Sequence, residues 1–201
     1  MKQLLLDIQP PPAPSFDNFK LGKNAEAVIN IREAIHGNAS TRFIYLWGAA
    51  GSGKTHLLKA AKAQGANIAD DVHLLNNDAQ IALFNTYNQL KESGGVLITA
   101  GLHTPTQMGL RDDLATRLAW GLVYQLHPLS DQEKTEALQA HARERGIKLP
   151  DEVIAYCLRY LRRDLPTLMA VLDALDEWSL VTKKPVTVPM LKKLLQLDLN
   201  L

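Results

Sequence analysis

Eight consecutive residues constrain this chain more than any others. Gly48-Ala49-Ala50-Gly51-Ser52-Gly53-Lys54-Thr55 satisfies G-x-x-x-x-G-K-[ST] at each fixed position. Before them, Phe43-Ile44-Tyr45-Leu46-Trp47 is apolar and rich in β-formers, as a buried parallel strand requires. After them, His56 to Ala63 has helical composition, with no breaker until Gly65. Strand, glycine loop and helix in that order make a nest of backbone N–H groups at a helix N-terminus, a holder for polyphosphate oxygens. In such a loop Lys54 reaches the β/γ-phosphates and the Thr55 hydroxyl takes a place on Mg²⁺. The competing reading is a Gly/Ala-rich turn that happens to contain Lys-Thr; the flanking strand and helix argue against it. A nucleotide site is expected. Whether the nucleotide is hydrolysed is a separate question.

With 201 residues, 46% of them apolar and 21% charged, the chain can bury a real core and form a medium domain plus a small one. Its net charge of +1 is far from the basic excess that DNA binding by electrostatics needs, so autonomous sequence-specific DNA binding is not expected. The single cysteine, Cys157, falls on the apolar side of a helical pattern and reads as a small core hydrophobe. No two of the six histidines stand at metal-ligand spacing. No stretch reaches the roughly 18 apolar residues of a membrane span, and Met1 to Asp7 turns acidic too soon for a signal peptide. A cytoplasmic protein is expected.

Along the chain, residues 1–14 form a leucine-rich tip followed by the stiff spacer Pro10-Pro11-Pro12-Ala13-Pro14. Residues 15–128 alternate helix and strand. The pattern predicts a helix over 24–35, a strand over 67–75 ending in acids, and a helix over 78–91. A strand at 96–99, a helix over 111–120 and a strand over 122–126 follow. Such alternation means a parallel α/β sheet with its ligand at the strands' carboxyl ends. From 129 to 201 only helical patterns remain, over 130–145, 151–161, 165–180 and 189–197, the first opened by the capping-box sequence Ser130-Asp131-Gln132-Glu133.

Nucleotide chemistry needs further groups. Asp70, at a strand end, is the candidate metal-side carboxylate, and adjacent Asp71 is available to orient water. An arginine must neutralise charge on the γ-phosphate, in cis or in a partner's site; Arg117 is the candidate, though taken alone it reads as a surface residue.

The order of phosphate loop, Asp-Asp strand, Leu97-Ile98-Thr99 strand, Leu114-Ala115-Thr116-Arg117-Leu118 helix and helical lid resembles the AAA+ ATPases of the DnaA family. Within that family the chain is most similar to the Hda-type regulators, which inactivate the replication initiator. The resemblance implies a P-loop AAA+ domain followed by a small all-helical lid. Phe16-Asp17-Asn18-Phe19 and Gly22-Lys23-Asn24 resemble the entry segment that holds adenine, which makes Phe19 and Asn24 nucleotide-binding candidates. Gln3-Leu4-Leu5-Leu6-Asp7-Ile8 resembles the peptide that docks on the DNA sliding clamp, the polymerase III beta subunit. Gln3 is its polar anchor, and Leu4, Leu6 and Ile8 its apolar plugs. Residues matching the helix-turn-helix domain and the N-terminal oligomerisation domain of DnaA are not expected. Arg117 matches the arginine finger inserted into the ATP site of DnaA, with hydrolysis in trans and initiation suppressed.

The resemblance also marks departures. Only a short stretch separates Ala60 from Asn67, where relatives fit another strand and helix, so a reduced sheet is expected. Ala100-Gly101 stands where a polar sensor belongs, leaving Thr99 or nothing, and Pro166 stands at the second sensor arginine, with Arg162 and Arg163 nearby. Weak or absent intrinsic ATPase follows, with ADP as the resident nucleotide implied by the family. ADP against ATP and monomer against nucleotide-dependent homodimer stay open. The rival readings are a self-contained P-loop ATPase such as a helicase loader, and a small-molecule P-loop kinase. Nucleoid association would come through the clamp.

Overall fold

The computed structural model describes residues 12–161 and 164–198. They fall into two compact units, which meet in sequence between Leu129 and Ser130.

The first unit is built on a parallel four-stranded sheet of β1 (Phe43–Trp47), β2 (Asn67–Ala69), β3 (Leu97–Gly101) and β4 (Leu122–Gln125), in the order β2-β3-β1-β4. Phe43 stands opposite Leu97, and Ile44 is paired with both Ile98 and Leu122. Side chains alternate across the sheet with the period of two that strands impose. Ile44, Leu46, Ile98 and Ala100 face α1 (Ala25–His36) and α2 (Lys54–Ala63), meeting Val28, Ile31, Leu57 and Leu58. Tyr45 and Leu97 face α3 (Asn77–Ser93) and α4 (Asp112–Ala119), meeting Leu83, Tyr87, Leu114 and Leu118. Burying both faces of β1 accounts for its unbroken apolar run. The loop after β1 therefore opens at the carboxyl edge of the sheet.

β2 follows α2 directly after the turn Gln64-Gly65-Ala66, with no helix or strand between them among the described residues. The strand expected over 67–75 is shorter than its apolar pattern. It ends at Ala69 because β2 pairs only with β3, and Asp71 takes a left-handed backbone (φ 45°) that no strand can continue. Val72–Leu74 then forms one 3₁₀ turn that buries Val72 and leaves Leu74 exposed.

The second unit consists of α5 (Asp131–Glu144), α6 (Asp151–Tyr160), α7 (Leu165–Thr182) and α8 (Val188–Asp198). Leu138, Ile154, Leu168, Leu172, Leu175 and Leu191 make its core, and Cys157 lies among them, its thiol pushed up to about 11 by burial. That is the environment of a packing residue. The Asp173 carboxylate joins α7 to α5, accepting from His141 Nε2 at 2.7 Å and Arg145 Nη1 at 3.2 Å. The capping box at Ser130 is complete: the Glu133 N–H donates to Ser130 Oγ at 3.2 Å and the Ser130 N–H to Glu133 Oε2 at 2.7 Å. Ser130→Ala is expected to destabilise this unit by about 1 kcal/mol, measured by denaturant unfolding of the full chain. A midpoint equal to wild type would show the cap to be dispensable.

Candidate nucleotide site

The phosphate loop turns on glycines that other residues could not replace. Gly48 (φ 148°), Gly51 (φ 78°) and Gly53 (φ 97°) all lie at positive φ. A Cβ at Gly48 would run into the Leu126 carbonyl beyond the end of β4, and one at Gly53 into the Phe19 ring. Gly48, Ser52 and Lys54 are buried, whereas Ala49, Ala50, Gly51 and Thr55 line the exposed rim. Gly53 is the N-cap of α2, and no side chain caps the helix there. The first backbone donors of α2 are thus directed into the loop, where an anion gains both hydrogen bonds and the helix dipole.

Lys54 is 7% exposed, and its ammonium donates to Gly48 O at 2.7 Å and Ala49 O at 3.0 Å. Burial holds its pKa below the usual lysine value, while Asp70 and Asp71 pull it back up. The cation is therefore already inside the loop, near paired acids. Thr55 Oγ1 donates to Asp70 Oδ2 at 2.6 Å, and the Asp71 N–H donates to Asp70 Oδ1 at 2.9 Å. The structure thus brings Lys54, Thr55, Asp70 and Asp71 together. Hard oxygens from Thr55 and Asp70 side by side suit Mg²⁺, which takes few protein ligands and completes its shell with phosphate and water.

Phe19 backs Gly53 and lies 5.3 Å from the His56 ring, centroid to centroid, with His56 Nε2 2.8 Å from Ser15 O. This ties the entry segment to the start of α2. Asn24 is buried, and its amide clamps the His127 backbone, donating from Nδ2 to His127 O at 2.9 Å and accepting the His127 N–H at 2.8 Å. Its side chain thus joins the entry segment to the exit of β4, a scaffold role that the sequence did not reveal.

The departures also have structural causes. Thr99 is buried in mid-strand on the face toward α3 and α4, beside Tyr87 and Leu118, and so not at the edge where phosphates would sit. Gly101 is demanded by packing. A Cβ there would meet the Tyr45 hydroxyl, which donates to His103 O at 2.9 Å. Pro166 sits in the first turn of α7, where its fixed φ suits a helix start, behind the N-cap Asp164. Arg162, Arg163 and the expected docking residues Gln3, Leu4, Leu6 and Ile8 lie outside the described residues.

Arg117 is in the last turn of α4, immediately before β4 begins. Because β4 runs parallel to β1, Arg117 lies toward the amino edge of the sheet and the phosphate loop toward the carboxyl edge. Between those edges runs five-residue β1, a length of about 16 Å. Three rings surround the Arg117 guanidinium: Trp120 at 4.5 Å, Phe84 at 5.9 Å and Tyr87 at 5.9 Å from Cζ. Burial raises the Tyr87 pKa, and Arg117 partly offsets that rise. The i, i+3 spacing of Arg117 and Trp120 was the available sequence signal for this cage.

Residues 131–195 match the family model described as Hda, lid domain. Among solved structures, domain III of the Thermotoga maritima replication initiation protein DnaA is 21% identical, with a TM-score of 0.71, covering 94% of this chain and 98% of that one. AMPPCP-bound DnaA from Aquifex aeolicus is 22% identical with a TM-score of 0.65, covering 86% of this chain and 69% of its own. A crystal structure of a DNA replication initiation factor is 22% identical, with a TM-score of 0.66 over 83% of this chain, which spans 65% of its length. No helix among the described residues is long and apolar enough to cross a membrane. Residues 131–195 thus carry an Hda lid domain, and the chain as a whole shares the fold of DnaA domain III.

Proposed function

We propose that this chain is a DnaA-related replication regulator that holds a nucleotide in its own loop and promotes hydrolysis in a partner's site. The observation that carries this reading is the separation of parts. The phosphate loop with Lys54, Thr55 and Asp70 lies at one edge of the sheet, and Arg117 at the other. A span of about 16 Å is too long for Arg117 to serve its own loop, so its chemistry belongs in trans. The partner suggested by the fold and the lid domain is DnaA carrying ATP.

In the resident site, the loop N–H groups from Gly48 to Thr55 and Lys54 would hold the phosphates of ADP or ATP, and Thr55 and Asp70 would hold Mg²⁺. A bound Mg²⁺ neutralises phosphate charge. Asp71, exposed beside Asp70, is the group available to orient water. Buried Thr99 and bare Gly101 leave the loop's own unit poor in groups that sense a γ-phosphate, which favours a nucleotide that shapes the protein over one that is consumed. In the partner's site, Arg117 would stabilise charge developing on the transferred phosphoryl group. The result is inactive DnaA–ADP and suppressed initiation.

The proposal includes docking on the sliding clamp through Gln3, Leu4, Leu6 and Ile8, a polar anchor and three apolar plugs whose pattern suits a hydrophobic groove. Replacing Gln3 and Leu4 with Ala is expected to abolish retention on immobilised clamp. Undiminished retention would remove this part of the reading. The central test is single-turnover hydrolysis of DnaA-bound ATP in the presence of this chain, clamp and DNA. Acceleration over DnaA alone is expected, and an unchanged rate would refute the trans mechanism.

A further inference from the structure

Arg117 has a setting unusual for a surface arginine. No hydrogen bond or ion pair to the described residues engages its guanidinium; the three rings are its neighbours. Phe84 and Tyr87, both from α3, stand on the core side, whereas Trp120 is 62% exposed and covers the guanidinium from the solvent side. The backbone of Trp120 is held by the helix end. Its backbone N–H donates to Arg117 O at 3.2 Å and closes the last turn of α4. Gly121 follows, where a Cβ would strike the Phe43 carbonyl, so the chain passes directly from Trp120 into β4. Lys91 Nζ lies 5.7 Å from the same indole, a second cation on one exposed ring.

We propose that Trp120 is the positioning residue for Arg117. Its indole face holds the guanidinium extended at the amino edge of the sheet while leaving the N–H donors open to a phosphoryl group brought by a partner. This rests on the trans reading above. The choice of a ring over a carboxylate has a chemical reason. An Asp or Glu partner would occupy the donor fork that phosphate needs, whereas a π face attracts the charge from above and leaves the in-plane N–H groups unused. An arginine already confined by rings loses less rotamer freedom when it inserts, so more of its interaction appears in the transition state. Lys91 adds positive potential on the same face and so favours approach of a polyanion.

The test uses the full chain as wild type, Trp120→Ala, Trp120→Phe and Arg117→Ala, with two readouts. The first is NMR of the Arg117 δ and ε protons in the chain alone. Ring current over the indole shifts them upfield; Trp120→Ala is expected to return them toward ordinary arginine values and Trp120→Phe to retain an upfield shift. The second is single-turnover hydrolysis of DnaA-bound ATP across a range of chain concentrations. Trp120→Ala is expected to lower the maximal rate about fivefold to tenfold, the factor for freezing one mobile side chain. The half-saturating concentration is expected to stay near wild type, and Trp120→Phe to recover most of the rate.

Unmoved Arg117 resonances in Trp120→Ala would overturn the proposal, as would an effect confined to the half-saturating concentration, which marks a docking contact. Full activity of Trp120→Ala beside an inactive Arg117→Ala overturns positioning alone. Full activity of Arg117→Ala overturns the trans reading and the positioning role with it.

Discussion

Arg117→Ala is expected to lower the stimulated hydrolysis of DnaA-bound ATP by about a thousandfold or more, the range over which an arginine supplied in trans acts. Nucleotide binding to the variant chain is expected to match wild type, because Arg117 and the phosphate loop lie toward opposite ends of β1. The fold should also survive. The side chain is half-buried, and its loss removes ring contacts worth about 1 kcal/mol. Arg117→Lys sharpens the test. It keeps the charge but not the planar fork, so a stimulated rate still far below wild type would show that phosphate geometry matters beyond charge. Rapid-quench single-turnover measurement at saturating chain checks both variants. Undiminished stimulation by Arg117→Ala would sink the assignment.

Lys54→Ala is expected to weaken nucleotide binding to this chain about a hundredfold, as for the loss of two charge-assisted hydrogen bonds. The ammonium is buried and held by Gly48 O and Ala49 O, so its removal also leaves two loop carbonyls without their donor. Titration with a fluorescent ADP analogue measures the affinity. Wild-type chain should gain thermal stability when ADP is added, and the variant should lose that gain because only a bound ligand stabilises the native state. An affinity equal to wild type would mean that the loop is not the nucleotide site. Combined in one chain, the two substitutions should act independently, since the residues share no partner.

The phosphate loop, its strand and its helix were legible because each rests on local rules. Glycines supply positive φ, an apolar run marks a buried strand, and Lys54-Thr55 opens a helix. The first lid helix was legible for the same reason: the Ser130 capping box is a local signal. The apolar run from Asn67 misled about length. Its first residues form a strand and Val72 belongs to a buried turn, because periodicity cannot tell a strand residue from a buried 3₁₀ residue. That the Asn24 amide also clamps a backbone 103 positions away was not legible, because no local pattern encodes so distant a contact.

By itself, then, the sequence determined that a phosphate loop exists, that a parallel α/β unit carries it and that a helical unit follows. Spacing and turn chemistry between near neighbours decide those matters. Which groups gather around the loop and which do not was decided only by tertiary structure. Asp70 reaches the Thr55 of α2 from just beyond the end of β2, Tyr45 requires Gly101 to be bare, and parallel pairing of β4 with β1 sends Arg117 to the far edge beside the Phe84 and Tyr87 rings of another helix. Each of these is a contact between residues distant in the chain, and no local pattern encodes where the packed sheet will set them down.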